Sequence, residues 1–157
     1  MHRRNGPDRG RAAIIAWPVD AETIAARLWI IALTRATRPA AAWLCAVLGK
    51  RDLAEGFFEA YAAVGRKVGC EAVSLAAPES SALRDAGVAR PLEGWALDDL
   101  TRVALLLSAS LRLPAARFEA VVEGVLSRGG ERERRAALGA LELLRRPAPG
   151  RLEAVRS

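Results

Sequence analysis

The sequence predicts an all-α fold. Apolar residues recur with helical spacing almost throughout the 157-residue chain. No segment long enough to form a strand alternates apolar with polar residues, which is the pattern of a half-buried strand. Apolar residues make up 52% of the chain and charged residues 27%, which is typical of a folded protein rather than a disordered one. The length suits one core that needs no disulfide or metal. We therefore expect a basic, disordered tail over residues 1–19 and a single all-α domain over residues 20–157.

A helical hairpin is predicted at the start of this domain. Asp20 suits the N-cap of a helix that runs to about Ala36. Pro39 fits the first turn of a second helix that reaches Leu48, and Gly49 is placed to end it. The apolar face of the first helix comprises Ile24, Leu28, Ile31 and Leu33.

A third helix and a long connection follow. Asp52 suits the cap of a helix over residues 53 to about 67, which Gly69 closes. The stretch 70–94 contains several prolines and glycines, so we expect mostly connection there, with one short helix over residues 80–86.

Three further helices complete the predicted domain. They cover residues 97 to about 111, 114–127 and 131–145, and they are separated by a Leu-Pro step and a Gly-Gly pair. Helices of this length with short connections favour an irregular antiparallel bundle. A short HEAT-like α-α stack is the alternative, although the residues carry no internal repeat.

The amino-acid composition disfavours many hydrolytic active sites and metal-binding sites. The only histidine is His2 and the only cysteines are Cys45 and Cys70, which disfavours zinc sites, Ser-His-Asp triads and Cys-His dyads. We expect no metal and no cofactor. We also expect the two cysteines to be buried or free thiols rather than a disulfide.

Net charge and hydropathy limit the cellular compartments and the binding partners that we expect for this chain. Residues 1–11 carry half of the net charge of +6, and elsewhere basic residues alternate with acids, which disfavours a nucleic-acid partner. The longest apolar run, residues 40–48, is about half the length of a membrane-spanning helix. Residues 12–17 are too short for a signal peptide and lack a cleavage site. We expect a cytoplasmic protein; binding to a membrane surface or nucleic acid through the tail is a third hypothesis beside the two given below.

Acids and an arginine cluster around one predicted helix start. Asp98 and Asp99 open a helix directly after Trp95, and Arg102 follows one turn later. Acids in a first turn also stabilise the helix itself through its dipole. Glu133 shares a helix face with apolar residues, so it points partly inward and needs a partner. Pairing of Arg102 with Asp98 or Glu133 is favoured over a ligand contact, although a guanidinium suits both.

Two other features have both a structural and a functional interpretation. Arg66 and Lys67 end a helix, where cations are favourable, but they could equally contact a ligand. Tryptophans at helical spacing are usually core residues, and they could also line a pocket for an apolar ligand. The four tryptophans are Trp17, Trp29, Trp43 and Trp95.

Four segments together resemble the EboA domain family. They are an aromatic helix that ends in an arginine and a glycine, a tryptophan-acid-arginine-leucine helix, a charged helix start that runs into leucines, and a segment of the form Glu-Ala-Val-Arg. In this chain the four segments are residues 57–69, 95–107, 130–144 and 152–157. Proline is usual in the family where this chain has Gly65, and lysine where it has Cys70. The order and spacing agree over residues 22–157.

The resemblance implies a genomic context rather than a reaction. It implies an all-α protein from a bacterial gene cluster that makes or exports a small metabolite and also encodes prenyltransferase-like, hydrolase-like and sugar-phosphate-enzyme-like proteins. In the family, the last segment opens a further helical region, so we expect that this chain stops short of it.

Two functions follow as hypotheses. The first is an accessory protein that binds an apolar small metabolite or a protein partner through a face near Arg66, Trp95, Arg102 and Glu133. The second is an enzyme with an acid-arginine centre built from Asp98 or Asp99, Arg102 and Glu133, acting on an isoprenoid-like or sugar-derived substrate.

Overall fold

The all-α class is confirmed. The structure, a computed structural model, describes residues 20–88 and 94–145. Within these ranges it contains seven helices packed as a bundle and a single isolated β-bridge between Ala72 and Ala96. The helices are α1 (Ala21–Arg35), α2 (Arg38–Leu48), α3 (Phe57–Val68), α4 (Ala77–Asp85), α5 (Leu97–Arg112), α6 (Ala115–Arg128) and α7 (Glu131–Arg145). The predicted tail lies outside the described residues.

Helix α5 is the centre of the bundle. It packs against α1, α3, α6 and α7, and every side chain from Leu100 to Ala109 is buried. A helix whose side chains are buried on all sides lies in the middle of the protein. The indole Nε1 of Trp29 donates to Ser108 Oγ at 2.8 Å, which ties α1 to α5 by a buried hydrogen bond.

The start of α3 differs from the prediction. Asp52 does not cap this helix: its Oδ1 accepts from the backbone N–H of Ala54 at 3.1 Å within a turn. Gly56 then adopts a φ of 68°, and α3 begins at Phe57. This left-handed conformation interrupts any helix that starts at Leu53, and glycine adopts it without steric strain.

Helix α4 begins three residues before its predicted start. The N–H of Ala76 donates to Glu79 Oε1 at 2.9 Å, and Pro78 lies in the first turn, where its missing N–H costs nothing. The bidentate ion pair between Arg35 and Glu79, with N···O distances of 2.7 and 2.8 Å, holds this helix start beside the end of α1.

The chain between α3 and α4 lies beside the start of α5. The N–H of Val73 donates to the carbonyl of Trp95 at 2.8 Å, and the N–H of Leu97 donates to the carbonyl of Glu71 at 2.8 Å. These two bonds fix the residues that lead into α5, so they position Trp95 and the acids that follow it.

Both cysteines are free, and both are exposed rather than buried. Cys45 lies on the solvent side of α2, and Cys70 follows the glycine that ends α3. No helix in the described ranges has the length and apolar character needed to cross a membrane.

Candidate functional site

A cluster of charged side chains, built around a buried pair, joins α5 to α7. Asp98 and Arg102 lie one turn apart on α5, with Arg102 Nη1 at 2.7 Å from Asp98 Oδ2, and both side chains are at most 3% exposed. Arg132, in the first turn of α7, reaches the same carboxylate with Nη2 at 2.6 Å from Oδ1 and Nε at 3.0 Å from Oδ2. This bidentate geometry is among the stronger hydrogen-bonded pairs in proteins.

The remaining donors of Arg102 reach α3 and α7. Its Nε donates to the carbonyl of Tyr61 at 3.0 Å, and its Nη2 lies 3.3 Å from Glu133 Oε2. The guanidinium also lies over the Tyr61 ring, 5.6 Å from the centroid. The Tyr61 hydroxyl donates to the carbonyl of Glu133 at 2.7 Å. We call Asp98, Arg102, Arg132 and Glu133 the ion cluster; together with Tyr61 it connects three helices.

The charges of the ion cluster stabilise one another. Burial raises the pKa of Asp98, but the hydrogen bond from Arg132 and the charges of Arg102 and Arg132 outweigh it and hold that pKa below its ordinary value. The hydrogen bond to Asp98 raises the pKa of Arg132. Burial raises the pKa of Tyr61, against the opposing effect of Arg102. The Asp98 carboxyl is therefore ionised at neutral pH and holds no proton to donate.

Gly65 makes room for Arg102. A Cβ atom at Gly65 would lie 3.3 Å from Arg102 Nη2 and 3.8 Å from Asp98 Oδ2. Any larger residue at this position of α3 would press on the guanidinium, so the ion cluster depends on a glycine here.

A cleft lies beside the ion cluster, between the start of α5 and the outer face of α7. Its volume is about 450 Å³, within the range of small-molecule sites. Leu138 contributes an apolar side chain that is 58% exposed. A Cβ atom at Gly139 would lie 4.0 Å from Trp95 Cη2, so this glycine leaves space in front of the indole. The cleft is lined by Gly94, Trp95, Asp99, Arg135, Ala136, Leu138, Gly139 and Glu142.

Asp99 is the carboxylate at the polar end of the cleft. It is 17% exposed and accepts no hydrogen bond from any residue in the described ranges. Its Oδ1 is buried and lies 3.7 Å from Arg132 Nη2, while its Oδ2 lies 4.0 Å from Arg135 Nη2. These separations allow electrostatic attraction but exceed hydrogen-bond length. Adjacent aspartates thus have different surroundings, because Asp98 faces the ion cluster and Asp99 lines the cleft.

The structure brings together most of the residues that the sequence singled out. Asp98, Arg102 and Glu133 meet in the ion cluster, with Arg102 paired to both acids as predicted. Trp95 and Asp99 line the cleft next to it. Arg66 is separate: it is exposed, and its side chain forms no hydrogen bond or ion pair with any of the described residues.

The other tryptophans do not line the cleft. Trp29 is a buried core residue, and Trp43 packs partly buried against the core with Lys67 Nζ over its ring at 5.7 Å. The structural interpretation therefore holds for both of these residues. Trp17 lies outside the described residues.

Sequence reasoning missed Arg132 as a site residue, along with Arg135 and Gly139. A cation in the first turn of a helix opposes the helix dipole, so the position of Arg132 directly before Glu133 was a signal that an acid would meet it. A glycine inside the leucine-rich α7, Gly139, was a second signal, because glycine disfavours a helix interior and leaves room for a neighbouring group.

A second groove lies between α3 and α6. Its volume is about 260 Å³, and its two cations already have partners. Arg128 lies over the Phe58 ring at 4.1 Å, and Arg117 Nη2 is 2.8 Å from Asp52 Oδ2. Gly124 lines this groove at mid-helix, as Gly139 lines the cleft.

Comparison with known proteins gives no match. No protein-family model matches the chain, and neither a curated protein nor a solved structure matches it. The resemblance to the EboA domain family stays a prediction, and the geometry described above is what bears on function.

Proposed function

We propose that this chain is a non-catalytic binding protein that holds an apolar small molecule in the cleft beside the ion cluster. The observation that carries the proposal is the cleft itself. Its volume, the indole of Trp95 and the exposed Leu138 side chain suit an apolar body, and the Asp99 carboxylate offers one polar contact. Apolar walls with a few placed polar groups are typical of ligand sites.

The proposed biological setting comes from the resemblance. We propose an EboA-like accessory role in a bacterial gene cluster that makes or exports a small metabolite, with the protein acting in the cytoplasm. The resemblance supports this setting. A binding role agrees with it, because an accessory protein of such a cluster has a metabolite to hold.

Binding is favoured over the enzyme alternative by the state of the acid-arginine pair. A general acid or base has to reach the substrate within hydrogen-bond distance. Asp98 and Arg102 are at most 3% exposed and are occupied by each other, by Arg132 and by backbone carbonyls. These two side chains are therefore better suited to hold helices together than to act on a substrate.

The test uses a fluorescent apolar probe, N-phenyl-1-naphthylamine, titrated into the full chain. We expect saturable binding that weakens at least about tenfold in Gly139→Leu, because the new side chain would fill the space before Trp95. The matched control is Gly124→Leu, the same change at a partly buried helical glycine in the second groove, and it should bind like the wild type. Circular dichroism checks that both variants fold.

The outcomes separate the possible sites. If Gly139→Leu folds and binds the probe as tightly as the wild type, the probe binds outside the cleft. If only Gly124→Leu loses binding, the probe binds in the second groove. No saturable binding at all would overturn the proposal and leave a protein partner as the alternative. If the cleft is the site, native mass spectrometry of the protein from its own host should release the natural ligand on denaturation.

A further inference from the structure

We infer that the molecule bound in the cleft is an apolar alcohol whose hydroxyl group bridges Asp99 and Arg135. This inference rests on the proposed function and narrows the chemical class of its ligand. It depends on the geometry at the polar end of the cleft, where a carboxylate and a guanidinium face each other without touching.

The Asp99 carboxylate lacks the donors that a largely buried carboxylate requires. An ionised carboxylate that loses its water is costly unless hydrogen bonds replace that water. None of the described residues donates a hydrogen bond to the Asp99 carboxylate: Oδ1 is buried and lies toward Arg132, so Oδ2 is the oxygen that a ligand in the cleft can reach. The nearest cations, Arg132 Nη2 at 3.7 Å and Arg135 Nη2 at 4.0 Å, supply charge but no hydrogen bond.

The gap between Asp99 and Arg135 fits one oxygen atom. The distance from Asp99 Oδ2 to Arg135 Nη2 is 4.0 Å. An oxygen placed about 2.8 Å from each atom closes a triangle on that base, and 2.8 Å is an ordinary hydrogen-bond length. A hydroxyl group satisfies both sides, since it donates its proton to the carboxylate and accepts from the guanidinium.

Other common end groups fit less well. An ammonium group has no lone pair for Arg135, and it adds a cation beside two arginines. A carboxylate has no proton for Asp99, and it adds an anion beside an acid. A ketone or an ether accepts from Arg135 but leaves Asp99 without a donor. The hydroxyl is the one of these groups that serves both residues without adding charge.

The rest of the cleft suits an apolar body attached to that hydroxyl. Leu138, on the solvent side of α7, is 58% exposed, and a ligand that covered it would remove apolar surface from water. Gly139 carries no side chain beside Trp95, whose Cη2 would lie 4.0 Å from a Cβ atom placed there. A fused ring or a branched chain could lie between these two side chains with its hydroxyl directed to Asp99.

The experiment compares 2-naphthalenemethanol with its methyl ether, 2-naphthoic acid and 2-naphthylmethylamine by isothermal titration calorimetry. In the wild type, the alcohol should bind at least about tenfold more tightly than each of the other three compounds. In Asp99→Ala, the difference between alcohol and ether should fall to within about twofold, while N-phenyl-1-naphthylamine still binds. Asp99→Asn, which keeps the size of the side chain, should show an intermediate difference. Asp85→Ala, an exposed acid outside the cleft, should behave like the wild type.

Each outcome has a separate meaning. Equal binding of alcohol and ether in the wild type would mean that water occupies the gap, and it would overturn the inference while the proposed binding function stands. Tightest binding of the acid or the amine would also overturn it. If neither the naphthalene compounds nor the fluorescent probe binds, the proposed function fails and the inference fails with it.

Discussion

Arg102 is the residue on which the most contacts of the ion cluster converge. Its guanidinium bonds to Asp98, Glu133 and the carbonyl of Tyr61, and its side chain is 3% exposed. Removing one member of a buried ion pair leaves the others without compensation, which is far more costly than losing a surface pair.

We predict that Arg102→Met lowers the free energy of unfolding by about 3 to 5 kcal/mol, because Asp98 and the carbonyl of Tyr61 lose a buried donor. Urea denaturation measures this change. Arg117→Met is the matched control, since it removes an arginine from an exposed pair with Asp52 and should cause a much smaller loss. A similar loss in both variants would show that burial of the pair does not determine its contribution.

Asp98 should also govern part of the acid sensitivity of the fold. Its pKa is lowered in the folded state, so its contribution to stability is fully present above the ordinary value of 3.8 and is lost as the pH falls through the folded pKa. Urea denaturation between pH 7 and pH 2 should therefore show a shallower acid loss for Asp98→Asn than for the wild type.

Other acidic residues provide the background and the control for this pH profile. Asp20, Asp52 and Glu79 also have lowered pKa values, so they contribute to the acid sensitivity that remains in Asp98→Asn. The exposed Asp85→Asn should leave the wild-type slope unchanged. Parallel profiles for the wild type and Asp98→Asn would contradict the prediction.

At the scale of the element, two helical glycines provide a matched pair. Gly139→Ala should raise the free energy of unfolding by about 0.5 to 1 kcal/mol, because alanine favours the helix and its Cβ meets only Trp95 Cη2, at 4.0 Å. Gly65→Ala should give no such gain, since its Cβ would lie 3.3 Å from an Arg102 Nη2 that is held in place. Thermal or urea denaturation of both variants tests this, and equal stabilisation would refute it.

The elements were predictable where a local signal marks them. The cap at Asp20, the proline in the first turn of α2 (Pro39) and the glycine pair before α7 each act over a few residues, and the predicted bounds of those helices lie close to the observed ones. The start of α3 was wrong because a glycine with positive φ looks, in a sequence, like any other glycine within a helical pattern.

The candidate site, like the helices, was predictable only where a local pattern in the sequence marks it. Asp98 and Arg102 are one helical turn apart, so their pairing follows from spacing alone. The bond from Arg132 to Asp98 spans 34 positions and depends on how α5 and α7 cross, which no local pattern specifies. The cleft likewise arises from two separate helices, so sequence reasoning found Trp95 and Asp99 but not Arg135 or Gly139.

At the scale of the whole molecule, the central position of α5 should make it the last helix to open. We predict that amide protons from Leu100 to Ala109 exchange only through global unfolding, with an exchange free energy equal to that from denaturation. Amides of α4, which packs mainly on α1, should exchange through smaller openings. Hydrogen exchange read by NMR measures both, and α5 amides that exchange well below the global value would contradict the prediction.

Asp98 belongs to the ion cluster and Asp99 lines the cleft, and this separation affects how the protein can change during evolution. The side chains that hold α3, α5 and α7 together, such as Tyr61 and Arg102, are a different set from those that line the cleft. Under the proposed function, substitutions at Leu138 or Gly139 alter which molecule fits without removing the contacts of the ion cluster. A scaffold arranged in this way acquires a new specificity in small steps, since those contacts remain at each step.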